Sequence, residues 1–266
     1  MAREADYQPM MHVNRQGIWK FAIHVALITA LAVVCGHAGT LAIVSADSPV
    51  SAAAAQALLL ATGRFDAVDL IDAYGSSPNL AAISGYDSVL AYSNRQLWDP
   101  SGLGDVLAQY YDLGGKHLTL ATFAFSGGPV QIGGAMGSGN YVALAFGGTG
   151  DVSGSLVPTV PSDPIFADID LAAVSFSHNA NFAHPALALG ATLLATDGSG
   201  VNMIARSANG VIDVNIYPGS ALAPGSPNGV TFDLLANTLT TPEPQFTTLV
   251  LGALIAGFRG LRGSRR

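Results

Sequence analysis

Between Thr40 and Leu239 the chain alternates short apolar runs with helix-patterned segments. Leu41 to Val44 is an apolar run closed by Ser45-Ala46-Asp47-Ser48-Pro49. Ser51 to Thr62 (SAAAAQALLLAT) then draws on the strongest helix formers and stops at Gly63. Phe65 to Ala73 sets Val68, Leu70 and Ile71 among aspartates, as a strand near a sheet edge would, and Ser77-Pro78 opens a short helix through Ile83. Tyr86 to Tyr92 reads as a buried strand. After Asp99-Pro100, the recurrence of Leu103, Val106, Leu107 and Tyr110 at three- and four-residue spacing predicts an amphipathic helix ending at Gly114-Gly115, and His117 to Phe125 is the next strand.

Four such repeats predict a parallel sheet covered on both faces, a doubly wound, mostly parallel α/β sandwich. Ligands in such folds sit beyond the carboxyl ends of the strands, here near Asp47, Asn94, Ser126 and the glycines that follow. Gly127 to Pro164 is Gly-, Pro- and Ser-rich and reads as a long excursion, with an apolar island at Tyr141 to Phe146 that fits a short hairpin. Leu171 to Phe176, Ala191 to Thr196, Val201 to Ser207 and Gly210 to Tyr217 supply further strands, the last two joined through Asn209-Gly210, a strong hairpin signal. Thr231 to Leu239 closes the domain as a helix.

The two ends of the chain have a different pattern. Arg15 and Lys20 precede a nearly continuous apolar run from Phe21 to Val34, and Gly36-His37-Ala38 offers small residues where a signal peptidase reads. Residues 1–38 are therefore expected to be a signal peptide cleaved after Ala38. An uncleaved anchor is the bland alternative, and lipidation at Cys35 is disfavoured by bulky Val34 before it. Residues 240–266 combine Pro242, Glu243 and Pro244, an uncharged run to Phe258, and a basic end of Arg259, Arg262, Arg265 and Arg266. The 15 residues from Pro244 to Phe258 reach roughly 22 Å as helix, short of the roughly 30 Å hydrocarbon core. Snorkelling arginines and local thinning would let residues 246–258 span with the basic end in the cytoplasm. An ordinary anchor, or a helix docked on the domain, fits the same run.

The tail closely resembles the PEP-CTERM sorting signal of Gram-negative bacteria that make exopolysaccharide. The resemblance implies export, recognition of Pro242, Glu243 and Pro244 by an exosortase-type membrane protease, and removal of the helix. It also makes an extracellular, biofilm-associated role the expectation, with exopolysaccharide as a partner.

Charge sharpens this picture. From Gly39 to Thr241 fifteen aspartates and no glutamate stand against Arg64, Arg95, Lys116 and Arg206, a formal charge of −11. A chain without a basic stripe has no means of neutralising phosphates, so nucleic acid is not an expected partner. Cys35, the one cysteine, lies within the leader, so no intramolecular disulfide forms and the mature chain has no thiol nucleophile.

Residues 40–239 resemble the class I glutamine amidotransferase-like superfamily, the flavodoxin-like branch that includes ThuA-like proteins. The resemblance is carried by IVSADSP after the first strand, GLGDVLAQYYDLGGKHLTLATF, Asp163-Pro164-Ile165-Phe166, VIDVNIYPG and DLLANTL. Catalytic members imply a cysteine on an elbow after a central strand. The matching position, Phe125-Ser126-Gly127-Gly128, has none, so thioester hydrolysis of glutamine looks lost and a non-catalytic binding domain is expected. The alternative is a surface hydrolase with Ser126 as nucleophile, His178 or His184 as base, and Asp168 or Asp170 orienting it.

The same histidines invite a metal reading, but a spacing of six in SHNANFAHP is not that of a helical zinc pair, and neither metal nor cofactor is expected. GGPVQIGGAMGSGN lacks the Lys-Ser/Thr of a phosphate loop. Tyr74, Tyr86, Tyr92, Trp98, Tyr110 and Tyr111 include a candidate sugar-stacking pair, against a simpler reading as core and strand-edge residues.

Overall fold

The computed structural model describes residues 39–150, 152, 155–176, 182–219 and 227–241. The expected leader with Ala38, His178, and the tail from Pro242 to Arg266 lie outside these residues. Among the described residues no helix is long and apolar enough to cross a membrane.

The domain is mixed α/β, with a mostly parallel eight-stranded sheet flanked by helices on both faces. Strands β1 (Gly39–Ala46), β2 (Phe65–Asp72), β3 (Ser88–Ser93) and β4 (His117–Ala121) are joined by helices α1 (Pro49–Ala61), α2 (Leu80–Ile83) and α3 (Pro100–Asp112). The later elements are α4 (Gly134–Ser138), β5 (Leu144–Ala145), β6 (Thr149–Gly150), β7 (Val157–Pro158), β8 (Phe182–Ala183), β9 (Ala186–Leu187), β10 (Thr192–Thr196), β11 (Asn202–Arg206), β12 (Ile212–Val214) and α5 (Gly229–Thr240). The sheet runs β2-β1-β3-β4-β12-β11-β10-β7; the first five strands are parallel and the last three extend it antiparallel.

Strand alternation builds both faces of the core. Leu41 and Ile43 of β1 face Ala55 and Leu59 of α1 and Phe232 and Leu235 of α5. Ala42 and Val44 face the other way, toward Ile83 of α2 and Leu103, Leu107 and Tyr110 of α3. Because β1 is covered on both sides it reads as a continuous apolar run, whereas edge strand β2 alternates buried Val68 with exposed aspartates.

The helices start where their caps dictate. Ser48 Oγ accepts from Ser51 N at 3.0 Å with Pro49 at the first helical position, Asp99 Oδ1 accepts from Gly102 N at 2.9 Å ahead of Pro100, and Asn228 Oδ1 accepts from Thr231 N at 3.0 Å. Gly63 (φ 67°) and Gly114 (φ 76°) take the left-handed positions beyond α1 and α3.

Three expectations are corrected. Leu171 to Phe176 is not a strand: Asp170 Oδ1 accepts from Ala172 N at 3.1 Å, an Asx turn, and Val174 and Phe176 enter the core from irregular backbone. The apolar island at Tyr141 to Phe146 forms no local hairpin; its β5 pairs with β9, about forty residues downstream. The Gly-rich segment after β4 contains a 3-10 turn (Gly128–Val130) and the short helix α4. Strand β4 stops at Ala121 instead of Phe125, because the backbone turns there, with Ala124 N donating to Ala121 O at 2.9 Å and Ser126 N to Phe123 O at 3.0 Å.

Candidate functional site at the carboxyl ends of the parallel strands

Strand β1 lies between β2 and β3, so the chain leaves it in one direction through α1 and returns on its other side through α2. The loops after β1 and β3 therefore diverge and leave a crevice at their carboxyl ends. Asp47 follows β1, Asn94 follows β3, and Tyr217 follows β12 at the same edge.

These three side chains are joined. The Tyr217 hydroxyl donates to Asp47 Oδ2 at 2.6 Å and accepts from Asn94 Nδ2 at 2.7 Å, while Ser48 N donates to Asp47 Oδ1 at 2.6 Å. Asp47 is buried, and a buried carboxylate needs such donors; the N-terminal end of α1 beside it adds a favourable dipole. Burial, followed by the bond to Asp47 and its charge, pushes the Tyr217 phenol far above its usual range, so it stays a donor at every physiological pH. Tyr92, buried and edge-on to the Tyr217 ring at 6.0 Å, is pushed up as well, first by burial and then by the Asp47 charge. Any side chain at Gly219 would run into Asp47 and Tyr217, which explains a glycine there. Both Asp47 oxygens accept a hydrogen bond, so this arrangement acts as a clamp between loops.

Of the expected catalytic residues, Ser126, His184, Asp168 and Asp170 fall among the described residues. Ser126 stands five residues beyond the end of β4, and its buried Oγ has no hydrogen-bond partner among the described residues. His184 lies with its ring against Gly150, and its backbone N donates to Gly148 O at 2.9 Å. Asp168 is exposed at φ 61°, between Phe166 and Ile169, which pack in the layer beneath α5; Phe125, next to Ser126, packs in the opposite layer. Among the described residues no three of His, Cys, Asp or Glu converge where a metal ion would sit.

The aromatic residues divide clearly. Tyr92 and Tyr110 are buried, the Tyr86 hydroxyl donates to Asp69 Oδ2 at 2.8 Å, and the Tyr111 hydroxyl donates to Asn209 O at 2.7 Å. Tyr74 and Trp98 are the exposed pair, 50% and 68% accessible, and both line one open cleft of about 420 Å³ beside the carboxyl ends of β2 and β3.

Sequence reasoning missed two residues. Tyr217 carried no signal beyond its place after an apolar run. Asp213 did carry one, a lone acid within the apolar segment VIDVNIY. It is fully buried on β12, its Oδ2 accepts from Ala143 N and Leu144 N at 2.8 Å each, and its Oδ1 has no partner among the described residues. Burial pushes its carboxyl up to about 8 despite those two backbone donors.

No family model matches the chain, and no curated protein matches it. Among solved structures, the crystal structure of SMU.1228c is similar over 79% of this chain and 85% of that chain, at 16% identity and a TM-score of 0.42.

Proposed function

We propose that this chain is an exported surface protein whose flavodoxin-like domain binds a partner and performs no hydrolysis. The leader is removed after Ala38, and an exosortase-type protease reads Pro242, Glu243 and Pro244. The helix over 246–258 holds the chain in the membrane, with Arg259, Arg262, Arg265 and Arg266 on the cytoplasmic side, until that cut releases the domain to the cell surface or to an exopolysaccharide matrix.

The observation that carries this reading is the ordered tail of Pro-Glu-Pro, apolar run and arginine cluster. Its flavodoxin-like character is supported by the 2-1-3-4-5 order of the parallel strands, with β12 as the fifth. The non-catalytic reading is supported by the missing elbow cysteine and by Ser126, whose Oγ has no hydrogen-bond partner among the described residues. Replacing Pro242, Glu243 and Pro244 together by alanine tests the address: the variant is expected to stay full-length in the membrane, and an unchanged mature mass would refute the sorting claim.

A further inference from the structure

The cleft between Tyr74 and Trp98 has no part in the core. Its floor and walls are Tyr74, Gly75, Gln96, Leu97 and Trp98, from the loops that follow β2 and β3. Burying large aromatic surface is strongly favourable, so an aromatic pair left open to water on one concave surface is a departure that calls for a ligand.

The backbone that carries the two rings is held in place. Trp98 N donates to Ala73 O at 2.9 Å, which ties one loop to the other, and Leu97 N donates to Pro129 O at 3.0 Å with the Leu97 side chain fully buried beneath. Asp72 Oδ1 and Oδ2 accept from Tyr74 N and Gly75 N, each at 2.9 Å. The Arg95 guanidinium sits 5.4 Å from the centre of the Tyr74 ring, covering one face by a cation–π contact and leaving the ring half exposed. Binding here would order little that is not already ordered, which limits its entropic cost.

We infer that this cleft is a glycan-binding site that takes an internal stretch of a neutral polymer of pyranose sugars. A pyranose ring has a flat C–H face that packs on an aromatic ring and a rim of hydroxyls that needs donors and acceptors. Trp98 and Tyr74 supply the first requirement, and exposed Gln96 and Arg95 supply the second. The cleft is open to solvent, which suits a segment of a polymer and not an enclosed monosaccharide. The formal charge of −11 over Gly39 to Thr241 repels polyanions and selects the neutral class.

This inference rests on the binding role proposed above and assigns it a place and a ligand class. It is tested with the full-length protein in detergent micelles by affinity electrophoresis through gels containing xylan, galactomannan, a soluble β-glucan or alginate. Retardation is expected in at least one neutral polymer and not in alginate. Trp98→Ala and Tyr74→Ala should each weaken that retardation roughly tenfold, the effect of losing one aromatic contact. Trp98→Phe should retain most of it.

Phe146→Ala removes an exposed aromatic elsewhere and should leave retardation unchanged; equal losses at Phe146 and Trp98 would mean non-specific adhesion and overturn the proposal. Migration of the native protein and of Trp98→Ala that is identical in every gel would also overturn it. The sorting reading is scored separately by mature mass, so failure of the cleft and failure of the address are told apart.

Discussion

The Tyr217 hydroxyl donates to Asp47 Oδ2 at 2.6 Å, joining residues 170 positions apart and closing the loop after β12 onto the loop after β1. Asn94 completes the link from β3, so one phenol fastens three strand ends at the crevice. Tyr217→Phe keeps the ring and removes both bonds, leaving a buried carboxylate with one donor fewer. The expected cost is about 2 kcal/mol, the range for hydrogen bonds to charged groups, read by urea denaturation. A variant as stable as the parent would show that water replaces the phenol without loss.

Asp213 makes stability depend on pH. Its folded value, pushed up to about 8, lies above the ordinary 3.8, so its contribution is fully present below about pH 4 and is lost as the pH rises through 8. The slope in that window is at most about 1.4 kcal/mol per pH unit from this one group. Asp213→Asn keeps an acceptor for Ala143 N and Leu144 N and cannot ionise. It should melt higher than the parent at pH 8, match it near pH 4, and flatten the profile between; parallel profiles would contradict the assignment.

Arg206 and Asp163 form an ion pair at 2.7 Å, with side chains 15% and 4% exposed, and Asp163 also caps the 3-10 turn of Pro164–Phe166. Removing one partner leaves a nearly buried charge unpaired. Arg206→Ala should therefore cost about 3 kcal/mol, at the lower end of the range for buried pairs because the arginine keeps some contact with water. Thermal unfolding reads it, and a loss below about 1 kcal/mol would place the pair with ordinary surface bridges.

Gly104 lies within α3, where alanine ordinarily stabilises a helix by about 1 kcal/mol. Here an added Cβ would fall on the carbonyl oxygen of Gly133, immediately before α4. Gly104→Ala should therefore destabilise by roughly 1–3 kcal/mol, the usual cost of overpacking. Gly85, where an added Cβ would meet only open space, is the control, and a stabilised Gly104→Ala would disprove the close approach.

The parallel half of the fold was legible because its signals are local. Ser48-Pro49 and Asp99-Pro100 announce α1 and α3, and the apolar run of β1 announces a strand covered on both faces. The antiparallel extension was legible at Asn209-Gly210 and less so beyond it. What failed depends on distant partners: β5 finds β9, and Asp213 gathers the backbone of Ala143 and Leu144 from about seventy residues away. Local composition also misled at Leu171 to Phe176, where one Asx turn outweighs β propensity. At the candidate site, Asp47, Asn94 and Ser126 were expected at the strand ends from topology alone. The Tyr217 clamp, and the exposure of Tyr74 and Trp98 while Tyr92 and Tyr110 are buried, required the tertiary structure.

The central claim, an exported binding domain delivered by a processed tail, is tested most directly by the intact mass and N-terminal sequence of the protein from its native cell, in membrane and medium fractions. The account predicts a chain beginning near Gly39 and ending near Thr241 or Pro242. A chain that still ends at Arg266 would contradict it, making the tail a permanent anchor and confining the domain to the membrane surface.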